Sequence, residues 1–368
     1  MTAGGLRHSG GMHGGPHGDE HGIALPITGD PDITATVLLG GGLAILPTET
    51  VYGLAARADD PAAVSRLYAA KGRPQDHPVI VHLANADAAL SAGPEGSWVR
   101  EVPDYARALA EAFWPGPMTL VLPRSPRATD GITGGQDTVG IRVPAHPAAQ
   151  AVIRAMDAHD PVGAPHGLAA PSANRFGQVS PTTVLHAIDE LAGVLDPKRD
   201  IALDGGPCGV GVESTIVDCT GIAPRILRPG GVTADDVERV TGMRPETGGE
   251  IRVPGALPSH YAPHARVVLA SDRVAAQAYA DAAAEVGLAP ERITMLAGVE
   301  IPDLDGFDRL AAPASDDEYA RILYAAMRTA DDDGIQLLIV VPPAADDGGI
   351  ATAVIDRLRR ASAPRSSA

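Results

Sequence analysis

A Pro/Gly-rich break at residues 246–264, ending Pro254-Gly255-Ala256-Leu257-Pro258-Ser259-His260-Tyr261-Ala262-Pro263, splits the chain into two stretches built on different patterns. Proline removes a backbone donor and glycine costs chain entropy to order, so neither a helix nor a strand runs through such a segment. At 368 residues the chain exceeds one ordinary core and suits two domains. The expected division is a leader at 1–30, a first domain at 31–245, a linker at 246–264 and a second domain at 265–362.

In the first domain, short apolar runs alternate with a few helical stretches. Strands are expected at Leu43 to Pro47, Pro78 to Leu83, Met118 to Leu122, Thr138 to Val143, Ile201 to Leu203, Ser214 to Asp218 and Arg225 to Leu227. Asp60 followed by Pro61 reads as a capped helix start, Ser180 with Pro181 repeats the signal, and Thr233 with Asp236 reads as a capping box. Many strands and Pro-Gly corners predict an α/β sheet whose irregular loops form a cavity. Beyond the linker a simpler βα alternation appears. Val267 to Leu269, Ile293 to Leu296 and Leu337 to Val341 are expected strands, between helices at 273–286, after Ser315 and through Ile350, Val354 and Leu358. That pattern predicts a small three-layer, Rossmann-like α/β domain.

Composition excludes several functions. Formal net charge is −17, which repels a phosphate backbone, so stable direct nucleic-acid binding is not expected. No apolar run is long enough to span a membrane, and no secretory segment is visible, so a cytoplasmic protein is expected. Cys208 and Cys219 alone make neither a two-CxxC metal site nor a disulfide framework. His8, His13, His17 and His21 in the leader suit a metal-binding tail or, as the glycine content favours, a solvated arm. Neither GxGxxG nor GxxxxGK[ST] occurs.

Four clusters in the first domain carry candidate chemistry. Pro47-Thr48-Glu49-Thr50-Val51-Tyr52-Gly53-Leu54 crowds hydroxyls after a strand, where ligands of open α/β sheets bind. Lys71-Gly72-Arg73-Pro74 reads either as a helix C-terminus, with cations against the dipole, or as a phosphate clamp. Lysine occurs only at Lys71 and Lys198, which favours the clamp. His82 in the following apolar run reads as a hydrogen-bonded core residue or a ligand contact. Pro171-Ser172-Ala173-Asn174-Arg175-Phe176-Gly177 with Ser180-Pro181 reads as a turn and N-cap, or as a nucleotide site with a helix N-terminus for an anion. Gly211-Val212-Glu213-Ser214-Thr215 with Arg228-Pro229-Gly230-Gly231 is equally ambiguous alone.

Taken in order, PTETVYGL, KGRP, FWPGPMTLVL, APSANRFG with SPT, GVEST and LRPGG resemble the YrdC-like threonylcarbamoyl-AMP synthase family, and the HYAP linker extends the resemblance to its two-domain form. The resemblance implies a twisted mixed sheet with a central cavity. It also implies condensation of L-threonine, bicarbonate or CO2, and ATP into threonylcarbamoyl-AMP and pyrophosphate, with Mg2+ accompanying ATP and the product handed to a tRNA-modifying transferase complex. By resemblance, Thr50, His82, Arg142, Ala170 and Ser214 meet threonine. Arg73, His77, Thr119, Ser172, Asn174, Ser180 and Arg228 meet ATP, as does Tyr261 from a lid, and Lys71 with Arg73 serves catalysis. No metal-ligating residue is assigned. Carbamoyl transfer from carbamoyl phosphate, as in hydrogenase-maturation proteins with a similar domain, is disfavoured by the missing cysteine pairs, and an RNA-binding module is disfavoured by the net charge. Three places depart from the pattern. No basic residue shortly precedes His260, His77 replaces a small polar residue, and Gly163-Ala164-Pro165-His166-Gly167 lengthens the approach to Ser172. Removing residues 246–368 is expected to impair turnover more than folding.

Overall fold

A computed structural model of the chain describes residues 24–93, 96–163, 165–255, 257, 260–344 and 349–364. The leader histidines lie outside the described residues, as do Ala164, Ala256, Pro258 and Ser259. The first domain is built on a mixed 11-stranded sheet. Its order is Ile27–Thr28, Ile201–Leu203, Ala44–Leu46, Gly53–Arg57, Leu168–Ala169, Ile80–His82, Thr138–Arg142, Met118–Pro123, Thr215–Asp218, Arg225–Arg228 and Glu246–Thr247. Central strands such as Met118–Pro123 are buried along their whole length, as expected where both faces are covered.

The fold begins earlier than the leader boundary at residue 30. Ile27–Thr28 pairs in parallel with Ile201–Leu203, and Asp30 caps the helix Pro31–Leu39 by accepting from Asp32 N at 2.8 Å. The domain also holds more helices than its patterning suggests, among them Pro31–Leu39, Asp104–Phe113 and Pro147–His159. One expected start is displaced. The cap of the helix Val184–Glu190 is Thr183, not Ser180, and Ser180 donates instead to Glu213 at 2.7 Å.

The segment around His166 is tied to its neighbours through side chains. The ring of His166 is buried between two carboxylates of the preceding helix end, with Nδ1 3.0 Å from Asp157 Oδ1 and Nε2 3.4 Å from Asp160 Oδ2. Arg127 donates to the Gly163 carbonyl at 3.1 Å while lying 4.5 Å over the Trp98 ring. Gly163 and His166 are thereby pinned to the fold.

The second domain is a four-stranded parallel sheet in the order Arg266–Leu269, Leu337–Val340, Ile293–Leu296 and Asp308–Ala311. Side chains alternate across it as strand geometry requires. Leu338 and Val340 meet the helices Asp316–Asp332 and Ala351–Ser362, whereas Leu337 and Ile339 meet Arg273–Glu285. Three layers result. The two domains share apolar contacts, because Val51, Val179 and Val212 join Tyr261, Ala320, Leu323 and Tyr324 in one cluster. At Gly211, with φ +82°, an added Cβ would lie 2.4 Å from Arg321 Cα, so only glycine allows this approach.

Candidate active site

Strand ends define the position of the site. Ile80–His82 and Thr138–Arg142 run parallel with His82 level with Arg142, so both side chains emerge at the carboxyl end of the pair. Ser172 bridges to Gly53, Ser214 precedes the strand Thr215–Asp218, and Arg228 ends the strand Arg225–Arg228. Lys71 is the last residue of the helix Pro61–Lys71, and Gly72 closes that helix in the left-handed conformation at φ 60°. The chain therefore turns back, and Arg73 follows Lys71 into the same hollow.

Lys71, Arg73, Arg142, Ser172 and Arg228, which come from distant stretches, line one cavity with Thr50, His82, Ala170, Asn174, Ser214 and Tyr261. It encloses about 50 Å3 of free space, room for a few waters and far less than a nucleotide occupies.

The cations inside it are held by uncharged acceptors. Lys71 is wholly buried and donates to the carbonyls of Ser172 and Asn174. Burial, together with the neighbouring Arg73, pushes its ammonium well below the usual lysine range. Arg73 donates to Pro78 O at 2.7 Å and lies 5.7 Å from the Phe176 ring centroid, and Arg228 donates to Ser214 O at 2.8 Å and Pro254 O at 2.9 Å. Arg142 differs, since it meets Glu49 at 2.6 Å and Thr50 Oγ1 at 3.0 Å. Burial would raise the Glu49 carboxyl, but Arg142 more than reverses this. Such a hollow accepts an anion readily, because the incoming charge replaces neutral carbonyls as the partner of the cations.

Histidines here are neutral. Burial, helped by Arg142, drives His82 down to about 3, and burial likewise drives His260 to about 3. His260 Nδ1 and Asn174 Oδ1 are buried and lack a hydrogen-bond partner, leaving two polar atoms for a ligand to satisfy.

Three expected site residues stand outside the cavity lining. Thr119 shares a 2.8 Å hydrogen bond with the Ser214 hydroxyl and lines a neighbouring crevice with Val79, Val121 and Ile216. Ser180 is engaged by Glu213, and His77 stands edge-on to Phe176 at 5.3 Å. Sequence reasoning passed over Glu213, Phe176, Gly255 and His260, all of which line the cavity. Each lies in a motif already singled out, but nothing in the motif told wall residues from neighbours.

From the linker, Tyr261 reaches into the site with φ 61°, a left-handed conformation that is costly for a tyrosine. It is held there by stacking on Tyr324 at 5.6 Å and by contact with His260 at 4.1 Å. Edge contacts continue from His260 through Phe176 to His77, so an aromatic ladder joins the linker to the first domain beside the hollow.

Known proteins resemble this chain in sequence and fold. The family model of the Sua5, YciO and YrdC proteins, described as telomere recombination, matches residues 36–230, and that of the threonylcarbamoyl-AMP synthase C-terminal domain matches residues 232–363. Threonylcarbamoyl-AMP synthase of Pyrococcus abyssi is 36% identical over 343 residues, covering 90% of this chain and 94% of the relative. The Bacillus subtilis protein of that name is 40% identical over 253 residues, covering 66% and 67%. The crystal structure of P. abyssi Sua5 complexed with L-threonine superposes with a TM-score of 0.78 at 33% identity, covering 92% of this chain and 98% of that one.

Proposed function

Since the chain belongs to the two-domain Sua5/YrdC family of threonylcarbamoyl-AMP synthases, we infer that it joins carbamoylated L-threonine to AMP, consuming ATP and releasing pyrophosphate. The observation that carries the reading is the convergence of buried Lys71, Arg73 and Arg228 on one hydroxyl-lined hollow. The threonine amine takes up CO2 to give a carbamate. One carbamate oxygen then forms a bond to the α-phosphorus as the bond from that phosphorus to the pyrophosphate oxygen breaks. No residue need form a covalent intermediate. The work is alignment and the spreading of negative charge over fixed cations.

Arg142, oriented by Glu49, suits the threonine carboxylate, with Thr50, His82, Ser214 and the Ala170 backbone about the same molecule. The L-threonine complex of the P. abyssi relative supports this substrate. Lys71, Arg73 and Arg228 suit the phosphates, with Ser172 and Asn174 beside them, while His77, Thr119 and Ser180 reach ATP only after local rearrangement. The donor set suits Mg2+ carried in on the triphosphate. Glu213, the only carboxylate lining the cavity among the described residues, is fully engaged, whereas Asn174 Oδ1 is a free oxygen. Such an ion would supply charge neutralisation at the phosphates. Tyr261 and His260 close over the site and exclude water, which protects a mixed anhydride from hydrolysis.

Among the described residues no helix is long and apolar enough to cross a membrane. Cys208 and Cys219 are free and buried, which suits the reducing cytoplasm, where we place the reaction and the transfer of product to a tRNA-modifying partner. Purified protein given ATP, bicarbonate and Mg2+ is expected to release pyrophosphate only when L-threonine is added. Release without threonine, or none across several divalent metals, defeats the assignment.

A further inference from the structure

A carboxylate inside a triphosphate site needs an explanation. Glu213 lines the same cavity as Lys71, Arg73 and Arg228, and its bare charge would oppose a polyanion. The chain neutralises it from the other domain. Tyr324, on the helix Asp316–Asp332, donates to Glu213 Oε2 at 2.8 Å and lies 3.1 Å from Oε1, and Arg357, on the helix Ala351–Ser362, donates to Oε2 at 2.8 Å. Arg357 is 0% exposed. Its other nitrogens reach Pro229 O at 3.0 Å and Asp356 at 2.7 Å, and its guanidinium lies 5.3 Å from the Tyr261 ring centroid. One side chain of the second domain therefore touches the GVEST turn, the LRPGG corner and the linker. Asp356 does not consume its charge, because Arg360 also pairs with Asp356 at 3.0 Å. Burial alone would raise the Glu213 carboxyl, yet Arg357 and then Arg228 hold it down at about 2, so it stays ionised and depends on that partner.

We infer that Arg357 and Tyr324 are positioning residues of the active site, lent by the second domain, which neutralise and fix Glu213 so that the cavity keeps the positive charge a triphosphate requires. Docking of the second domain and nucleotide affinity are then one event. If the last helix lifts away, an uncompensated carboxylate is left facing the phosphate cations. The inference rests on the ATP-using reading given above.

The test compares ATP with adenosine, which fills the same base site without charge, in full-length protein under one buffer. Arg357→Met is expected to weaken ATP about tenfold or more while changing adenosine little. Adding Glu213→Gln to that variant is expected to restore the ATP-to-adenosine ratio. Equal losses for both ligands, or no rescue, overturn the inference, because displaced packing would weaken both alike. Should Arg357→Met fail to fold, Glu213→Gln alone leaves Arg357 with only Asp356, which it shares with Arg360, and is expected to shift the ratio towards ATP. An unchanged ratio there is equally fatal. Wild-type protein that binds no ATP would instead sink the functional assignment.

Discussion

Lys71 has given up water for two carbonyls, and the charge of Glu190 offsets its burial only in part until an anion arrives. Lys71→Met is therefore expected to lower kcat/KM on the order of 10²-fold or more without lowering the thermal midpoint, since a buried cation that is only partly compensated is removed. A fall in midpoint matching the fall in activity would show a structural role instead. The histidines give a pH prediction. His82 and His260, with folded pKa values of about 3 set first by burial, lie below their unfolded value of 6.5. The unfolded chain takes protons first, so their contribution is complete above about pH 6.5 and shrinks as pH falls towards 3, by roughly 1.4 kcal/mol per pH unit for each. Denaturation curves between pH 7 and 5 are expected to show this slope, and His82→Gln is expected to flatten it. The sequence made the cations legible because Lys71, Arg73 and Arg228 sit in short, unusual contexts, with lysine nearly absent elsewhere. Glu213 was not legible as a wall residue, since its partners Tyr324 and Arg357 lie more than 100 positions away.

Among elements, the linker has the most to do, and Pro-Gly punctuation points to it, although its expected start at 246 is too early, because Glu246–Thr247 pairs with Arg225 and Ile226 as the edge strand of the first sheet. Its geometry was not legible. Gly255, at φ +76°, has an added Cβ 2.0 Å from the Tyr261 hydroxyl and 3.2 Å from Arg228 Nη1. Gly255→Ala is expected to push Tyr261 out of the cavity and cut turnover at least about tenfold, with the far-UV spectrum unchanged. Wild-type turnover in that variant would mean that Tyr261 need not occupy its described place. Strands rich in Val, Ile and Leu, such as Met118–Pro123 and Ile293–Leu296, were readable from composition. The strand Gly53–Arg57, sequence GLAAR, was not, because its pairing with Ala44–Leu46 and Leu168–Ala169 overrides weak local preference. The displaced helix start at Thr183 has the same origin, since Ser180 spends its hydroxyl on Glu213.

For the whole molecule, the expectation that losing the linker and second domain harms turnover more than folding meets two physical obstacles. The cluster joining Val51, Val179 and Val212 to Leu323 and Tyr324 would be cut open, exposing apolar surface. Glu213 would also lose Tyr324 and Arg357 together. Removing one partner of a buried pair costs about 3–5 kcal/mol, a large share of the roughly 5–15 kcal/mol that holds a domain together. The two domains are therefore expected to unfold in one transition, with calorimetric and van't Hoff enthalpies agreeing. Deletion of residues 246–368 is expected to lower the midpoint of what remains as well as its activity. Part of that loss is electrostatic and is separable. Glu213→Gln in the truncated chain removes the stranded charge but not the exposed valines, so it is expected to recover stability only in part. Full-chain unfolding in two well-separated steps, or a truncated chain as stable with Glu213 as with glutamine there, would show that the domains merely touch.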